Sequence, residues 1–165
     1  MEKNLILNSL EINQKTTRIA YQIYETFDEK EEIILAGIHL NGFLLAMMIS
    51  ESLSDIMNCK ITLCEVFVDK KNPLNTVTTS LAKEAYTNKK IVLIDDVLNS
   101  GSTLIYAVKH FLEVPLKKFK TAVLVDRNHK KYPVKVDFKG ISLSTSSKEH
   151  VQVVFEKDNC YAYLQ

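Results

Sequence analysis

The sequence predicts an α/β fold: a mostly parallel, twisted sheet with helices on both faces, plus a small hood of short C-terminal strands. Three observations predict it. Short apolar runs alternate with longer segments of helical periodicity. Two of those runs pass straight into turns that hold Gly37, Gly42 and Gly101, three of only four glycines in the chain. Beyond Pro133 the periodicity gives way to short strand-like runs. Glycine so scarce and so placed points to backbone geometry that a side chain would block.

Taken in order, Ile12, Thr16, Ile19, Ala20, Ile23 and Phe27 recur at helical spacing and mark an amphipathic N-terminal helix. Residues 33–37 read as a short buried strand ending at a glycine. Residues 43–56 form a strongly apolar helix, with more hydrophobic surface than one buried face needs. It is either a central core helix or an interface. Residues 61–68 are a strand, 69–74 a charged turn with Asn72 and Pro73, and 76–81 a β-prone return arm. Residues 91–94 are a buried strand. Leu104, Val108, Phe111 and Leu112 mark the helix after it. Residues 120–126 are another strand, and 134–138, 151–155 and 161–164 are the short C-terminal ones.

The 165 residues suit a single domain spanning 1–165. At 46% hydrophobic and 25% charged residues the composition is that of an ordinary globular α/β protein. The net charge of +1 provides no bulk field for nucleic acid or a membrane. Arg18 and Arg127 are the only arginines, so bidentate phosphate clamps are scarce. Cys59, Cys64 and Cys160 are odd in number and fit neither a zinc site nor a redox pair. Free thiols in a reducing cytoplasm are the expectation. No signal peptide is visible, and the longest apolar run, 43–49, is far too short to span a bilayer.

The most informative stretch is 91–103. Four apolar residues run into Asp95 and Asp96, then into Asn99, Ser100, Gly101, Ser102 and Thr103, where a helix begins. A helix start carries unpaired N–H groups and the positive end of the dipole, so it holds a phosphate well. The hydroxyls of Ser100, Ser102 and Thr103 add donors. The two acids cannot bind that phosphate, but they can accept hydrogen bonds from sugar hydroxyls or help to hold a magnesium ion. A phosphate cradle beside a diol receptor suggests a ribose 5-phosphate site.

The same stretch resembles the signature of the type I phosphoribosyltransferases, which bind phosphoribosyl pyrophosphate (PRPP). The resemblance covers nearly the whole chain. The segments Asp126-Arg127-Asn128-His129 and Asp137-Phe138-Lys139-Gly140 look like one member group, the bacterial pyrimidine attenuation regulators that double as uracil phosphoribosyltransferases. The resemblance implies that Asp95 and Asp96 contact the ribose hydroxyls, and that Asn99 to Thr103 wrap the 5-phosphate. It implies that Gly37, Ile38, His39, Leu40, Asn41 and Gly42 form the loop that meets pyrophosphate. Residues 137–146, with Asp137 and Phe138, would form part of a hood over the base, near Arg127. It further implies magnesium, nucleobase or nucleoside monophosphate ligands, and a homodimer or larger homo-oligomer.

The departures matter. Relatives carry Lys-Thr-Arg where this chain has His39, Leu40 and Asn41, and Tyr-Arg-Asp where it has Phe67, Val68 and Asp69. Two arginines near the leaving group are missing, where preorganised donors carry much of a group-transfer reaction. Lys70, Lys71, magnesium or a protonated His39 would have to replace them. His39 is therefore a candidate catalytic donor. The expectation is an enzyme joining a nucleobase, uracil first, to PRPP with release of pyrophosphate and at reduced activity. The alternatives are a PRPP or nucleotide sensor of the same fold and an RNA-binding attenuation regulator. RNA is the weaker partner, because the lysines around 117–139 sit on a near-neutral chain.

Overall fold

The computed structural model describes residues 4–27, 30–146, 149–156 and 159–165. Helix α1 (Ser9–Thr26) starts at a capping box: the Asn8 side chain accepts the Glu11 N–H and the Glu11 carboxylate accepts the Asn8 N–H. Strand β2 (Ile33–Ile38) is buried along its whole length. Helix α2 (Asn41–Ser54) follows after two turn residues. Strand β3 (Ile61–Phe67) turns back through the two-residue β4 (Thr78–Thr79), the expected return arm. After the one-turn helix α3 (Lys83–Tyr86), strand β5 (Lys90–Leu98) leads into helix α4 (Ser102–Phe111). Strands β6 (Lys118–Asp126) and β7 (Phe138–Ser142) complete the main sheet.

The main sheet has six strands in the order β4-β3-β2-β5-β6-β7, parallel except for the β3–β4 hairpin. The chain leaves β2 for β3 on one side and returns to β5 on the other. That reversal opens a crevice at the carboxyl ends of β2 and β5. Helices α1 and α2 share one core with the sheet, built on Ile12, Ile19, Ile23, Leu45, Ile49 and Val92. Helix α4 covers the other face through Leu104, Ala107 and Phe111, packed with Ile34, Leu93 and Val123. A second sheet, β1-β9-β8, is antiparallel and joins N-terminal β1 (Asn4–Leu7) to β9 (Asn159–Leu164) and β8 (Val151–Glu156). Val153 and Ala162 seat this hood on the α1–α2 core.

Three differences from the sequence reading change the architecture. Strand β5 does not stop at Ile94 but runs through the acid pair, because β6 keeps pairing with it to Leu98↔Asp126. Residues 134–137 are not a strand. There the Asp137 carboxylate takes the Thr121 N–H at 3.0 Å and Thr121 Oγ1 donates to Lys135 O at 2.8 Å, so side chains do what a ladder would do. Pairing with β6 begins only at Ala122↔Phe138. Hence Phe138 and its strand belong to the main sheet, and the hood is made of the two chain ends. Strand β1 was not expected, since half of its residues face solvent and its pairing partner lies at the far end of the sequence.

Helix α2 is a core helix with an exposed apolar edge. Leu45, Ala46, Ile49 and Leu53 are buried in the core, while Leu44 and Met47 stay 38% and 40% exposed.

At the opposite end of the sheet, Glu32 receives Lys60 at 3.0 Å and Lys89 at 3.1 Å. Its Oε1 also accepts the Thr62 hydroxyl. The Thr62 bond and then the Lys60 pair hold its carboxyl at about 2. A depressed carboxyl stabilises the fold above its unfolded pKa, near 4.5, and the contribution is lost as pH falls toward 2. Both lysines are well exposed, so on the order of 1–2 kcal/mol is expected at neutral pH after screening. Glu32→Gln should therefore lower stability to urea at pH 7, and the gap to the natural protein should narrow between pH 5 and pH 3 and close near pH 2. A gap that stays constant from pH 7 to pH 3 would refute this account.

Candidate functional site

The site grows from the end of β5. The strand carries Asp95 and Asp96 past the edge of β2, and alternation turns their side chains to opposite sides. Asp95 is buried and lies against the first turn of α2: a Cβ added at Gly42 would sit 3.1 Å from Asp95 Oδ1 and 2.8 Å from Ile94 O. Its Oδ1 also accepts the Asp96 N–H at 3.0 Å. Burial pushes the Asp95 carboxyl well above the usual carboxylate range, the neighbouring Asp96 adds to this, and Lys70 opposes it. Asp96 is half-buried, and its Oδ2 accepts the Asn41 amide at 2.9 Å. The same Asn41 nitrogen donates to Val153 O in the hood, also at 2.9 Å. One side chain thus ties the start of α2, the acid pair and the hood together.

The turn after β5 is short. Gly101 caps α4 with φ +83°, and a Cβ there would meet Val134 Cγ1 at 2.6 Å. So glycine is required by the left-handed backbone and by Val134 packing. No side chain caps α4, and within its first turn the Ser102 N–H reaches Ser100 Oγ at 3.2 Å. A cavity of about 400 Å³ brings together Asp95, Asp96, Asn99, Ser100, Gly101, Ser102 and Thr103 with Asn41, Lys70 and Arg127. One edge of the hood, His150 to Val153, closes it. Sequence reasoning missed that edge, because an alternating strand carries no sign of which pocket it overlooks.

Other expected residues lie elsewhere. Gly37 and Ile38 are strand residues of β2, not loop residues; the turn is His39 and Leu40 alone. Leu40 has φ 68°, rare for a leucine, and is 67% exposed. His39 is not in the cavity. Its N–H is held by Val66 O at 2.7 Å, its Nδ1 meets Glu65 Oε1 at 2.6 Å, and its ring rests on Phe67. The register that pairs Gly37 with Glu65 puts that carboxylate within reach. Asp137 and Phe138 do not overlook the cavity either. Asp137 is bound to Thr121 and Lys120, and Phe138 is buried in the core beneath α1.

Arg127 does reach the site, but as a brace. It is buried and donates to Asn99 Oδ1 at 2.9 Å, Thr145 Oγ1 at 3.1 Å, Ser146 O at 3.3 Å and Glu149 O. Arg18 donates to Gly140 O in β7. Both arginines are thus engaged by protein acceptors. Lys70 lines the same cavity, and its charge acts on Asp95. Among the described residues no cluster of three or more His, Cys, Asp or Glu side chains could hold a metal by itself. The donor set fits a magnesium ion shared with ligand oxygens, which needs only one or two carboxylates.

The fold defines a class: doubly wound α/β proteins with a ligand cleft at the switch point of the sheet. The family model for the phosphoribosyl transferase domain matches residues 4–158, and the chain belongs to that family. The bifunctional protein PyrR of Pediococcus pentosaceus is 34% identical over 163 residues, covering 93% of this chain and 92% of that protein. PyrR of Clostridium kluyveri is 33% identical, covering 96% and 94%. The hypoxanthine phosphoribosyltransferase of Trypanosoma cruzi, solved with its product IMP, shares the fold with a TM-score of 0.74 at 18% identity, covering 86% of this chain and 80% of that one.

Proposed function

We propose that this protein transfers the 5-phosphoribosyl group of PRPP to a nucleobase, uracil first, and releases pyrophosphate. The observation that carries the reading is a single cavity holding the acid pair and the hydroxyl-lined start of α4. Asp96, with Asp95 behind it, accepts the ribose hydroxyls. Ser100, Ser102, Thr103 and the first N–H groups of α4 take the 5-phosphate. Lys70 faces the acids and supplies positive charge next to the leaving group. Magnesium, when bound, would sit on Asp96 and neutralise pyrophosphate charge. Asn41 holds Asp96 in place and keeps the hood closed on it.

The identity to PyrR proteins supports a pyrimidine, and the free thiols of Cys64 and Cys160 suit a reducing cytoplasm. The exposed Leu44–Met47 stripe of α2 is the surface for a homo-oligomer. RNA is the lesser partner: Lys130 and Lys139 are spent on Asp126, and Lys120 on Asp137. That leaves a thinner basic surface for a phosphate backbone.

The test is steady-state release of pyrophosphate from PRPP and magnesium with each pyrimidine and purine base in turn. Turnover with uracil is expected, below the roughly 10 per second of a median enzyme, because the leaving group lacks an arginine. No turnover with any base, together with tight nucleotide binding, would overturn catalysis in favour of a sensor.

A further inference from the structure

Arg127 is a buried cation without a counter-ion. The residue is 3% exposed. Its side chain donates to Asn99 Oδ1, Thr145 Oγ1, Ser146 O and Glu149 O. Every one of these acceptors is neutral, and among the described residues Arg127 makes no ion pair. The Glu149 carboxylate is bound instead to the Ser146 N–H at 2.7 Å. A guanidinium stays charged throughout the working pH range of a protein. Hydrogen bonds to neutral groups orient that charge but do not cancel it. A buried charge left uncancelled is unfavourable, and an anion that binds beside it relieves the cost.

The position of Arg127 says where that anion lies. Its main-chain N–H is held by Leu98 O at 3.1 Å, and its Nη1 reaches the next residue, Asn99, at 2.9 Å. The guanidinium therefore stands behind the turn that runs through Ser100 and Gly101 into α4. It lines the main cavity and an adjoining compartment of about 280 Å³. The other titratable groups of that compartment are His129, Lys131 and His150, with no acid among them. The turn itself offers only neutral donors, its hydroxyls and N–H groups. Lys70, the other lysine or arginine of the main cavity, acts on Asp95.

We infer that Arg127 is the counter-charge of the ligand's 5-phosphate, acting through space from behind Asn99. The inference rests on the reading of the cavity as a phosphoribosyl site and moves Arg127 from the base to the phosphate. The chemistry it selects is a phosphate monoester, close to doubly charged at neutral pH. In a buried wall this attraction is far stronger than between exposed groups. A nucleoside without the phosphate gains nothing from it.

The experiment is calorimetric binding of UMP, and of uridine by displacement of UMP, to the natural protein, Arg127→Lys and Arg127→Gln. Lys keeps the charge but cannot repeat the four hydrogen bonds; Gln keeps a donor for Asn99 but removes the charge. Arg127→Gln should weaken UMP about tenfold or more, and Arg127→Lys by less than about threefold. Uridine should respond to neither. Equal loss of UMP in the two variants, or a uridine loss that matches it, makes Arg127 a brace alone. Either result overturns the inference and leaves the sugar-phosphate site standing. Should Arg127→Gln fail to fold, Arg127→Lys decides: a UMP loss above about threefold with the charge kept overturns the inference. Failure of the natural protein to bind UMP overturns the phosphoribosyl reading itself, and this inference with it.

Discussion

Asp95→Asn combined with Asp96→Asn is expected to cost at least tenfold in affinity for ribose 5-phosphate and PRPP, about 1.4 kcal/mol or more. The two acids share the cavity with the start of α4, and ionised carboxylates make stronger bonds to hydroxyls than neutral amides do. The two positions should contribute unequally. Asp96 is half-buried and faces the cavity with the oxygen that Asn41 leaves, so its replacement should account for most of the loss. Asp95 is buried with a raised carboxyl, so a neutral amide there should be tolerated by the fold. Titration calorimetry on the folded double variant measures the effect. Unchanged affinity would remove the acid pair from the ligand site.

Gly37→Ala should be the most destabilising substitution in the neighbourhood, costing about 3 kcal/mol. A Cβ there would lie 2.5 Å from Phe43 Cα, 2.7 Å from Gly42 O and 2.8 Å from Phe43 N. All three are backbone atoms of the first turn of α2, so no side chain can swing aside. The helix start is seated closely on both strands, since Gly42 also lies against Ile94 O and Asp95, and Ile94 is the register partner of Gly37. A stability loss of that size in a domain of this length lowers Tm by roughly 6–12 °C. Urea unfolding would decide it, and a loss below about 1 kcal/mol would show that the helix start yields more easily than its contacts imply. The same lock sets the site: the turn that moves with α2 carries Asn41, and Asn41 holds Asp96.

The parts of this site that could be read from the chain are local. Asp95, Asp96 and the turn from Asn99 to Thr103 are contiguous, and a buried strand passing into a helix start places them together whatever lies around them. The alternation of apolar runs with helical periodicity made the parallel sheet legible for the same reason. Legibility ended where the outcome depended on a distant partner. Residues 134–137 are β-prone, but Thr121 and Asp137 satisfy the backbone there by side chains, and nothing in the local pattern reports that. His39 lies within the loop it was expected to serve, yet Glu65 on the next strand holds its ring.

By itself the sequence determined the fold class, the family signature and the acid pair beside a helix start, because each is written in local burial, periodicity and turn chemistry. Only the tertiary structure decided which side chains complete the cavity. Asn41 reaches Asp96 and Val153 across 55 and 112 positions, and Arg127 reaches Asn99 across 28. It also decided that the hood is built from the two ends of the chain, β1 with β8 and β9, and not from residues 137–146. The physical reason is the same in each case. A hydrogen bond between distant residues depends on strand register and helix placement, which are set by the packing of the whole core and leave no periodicity in the segments they join.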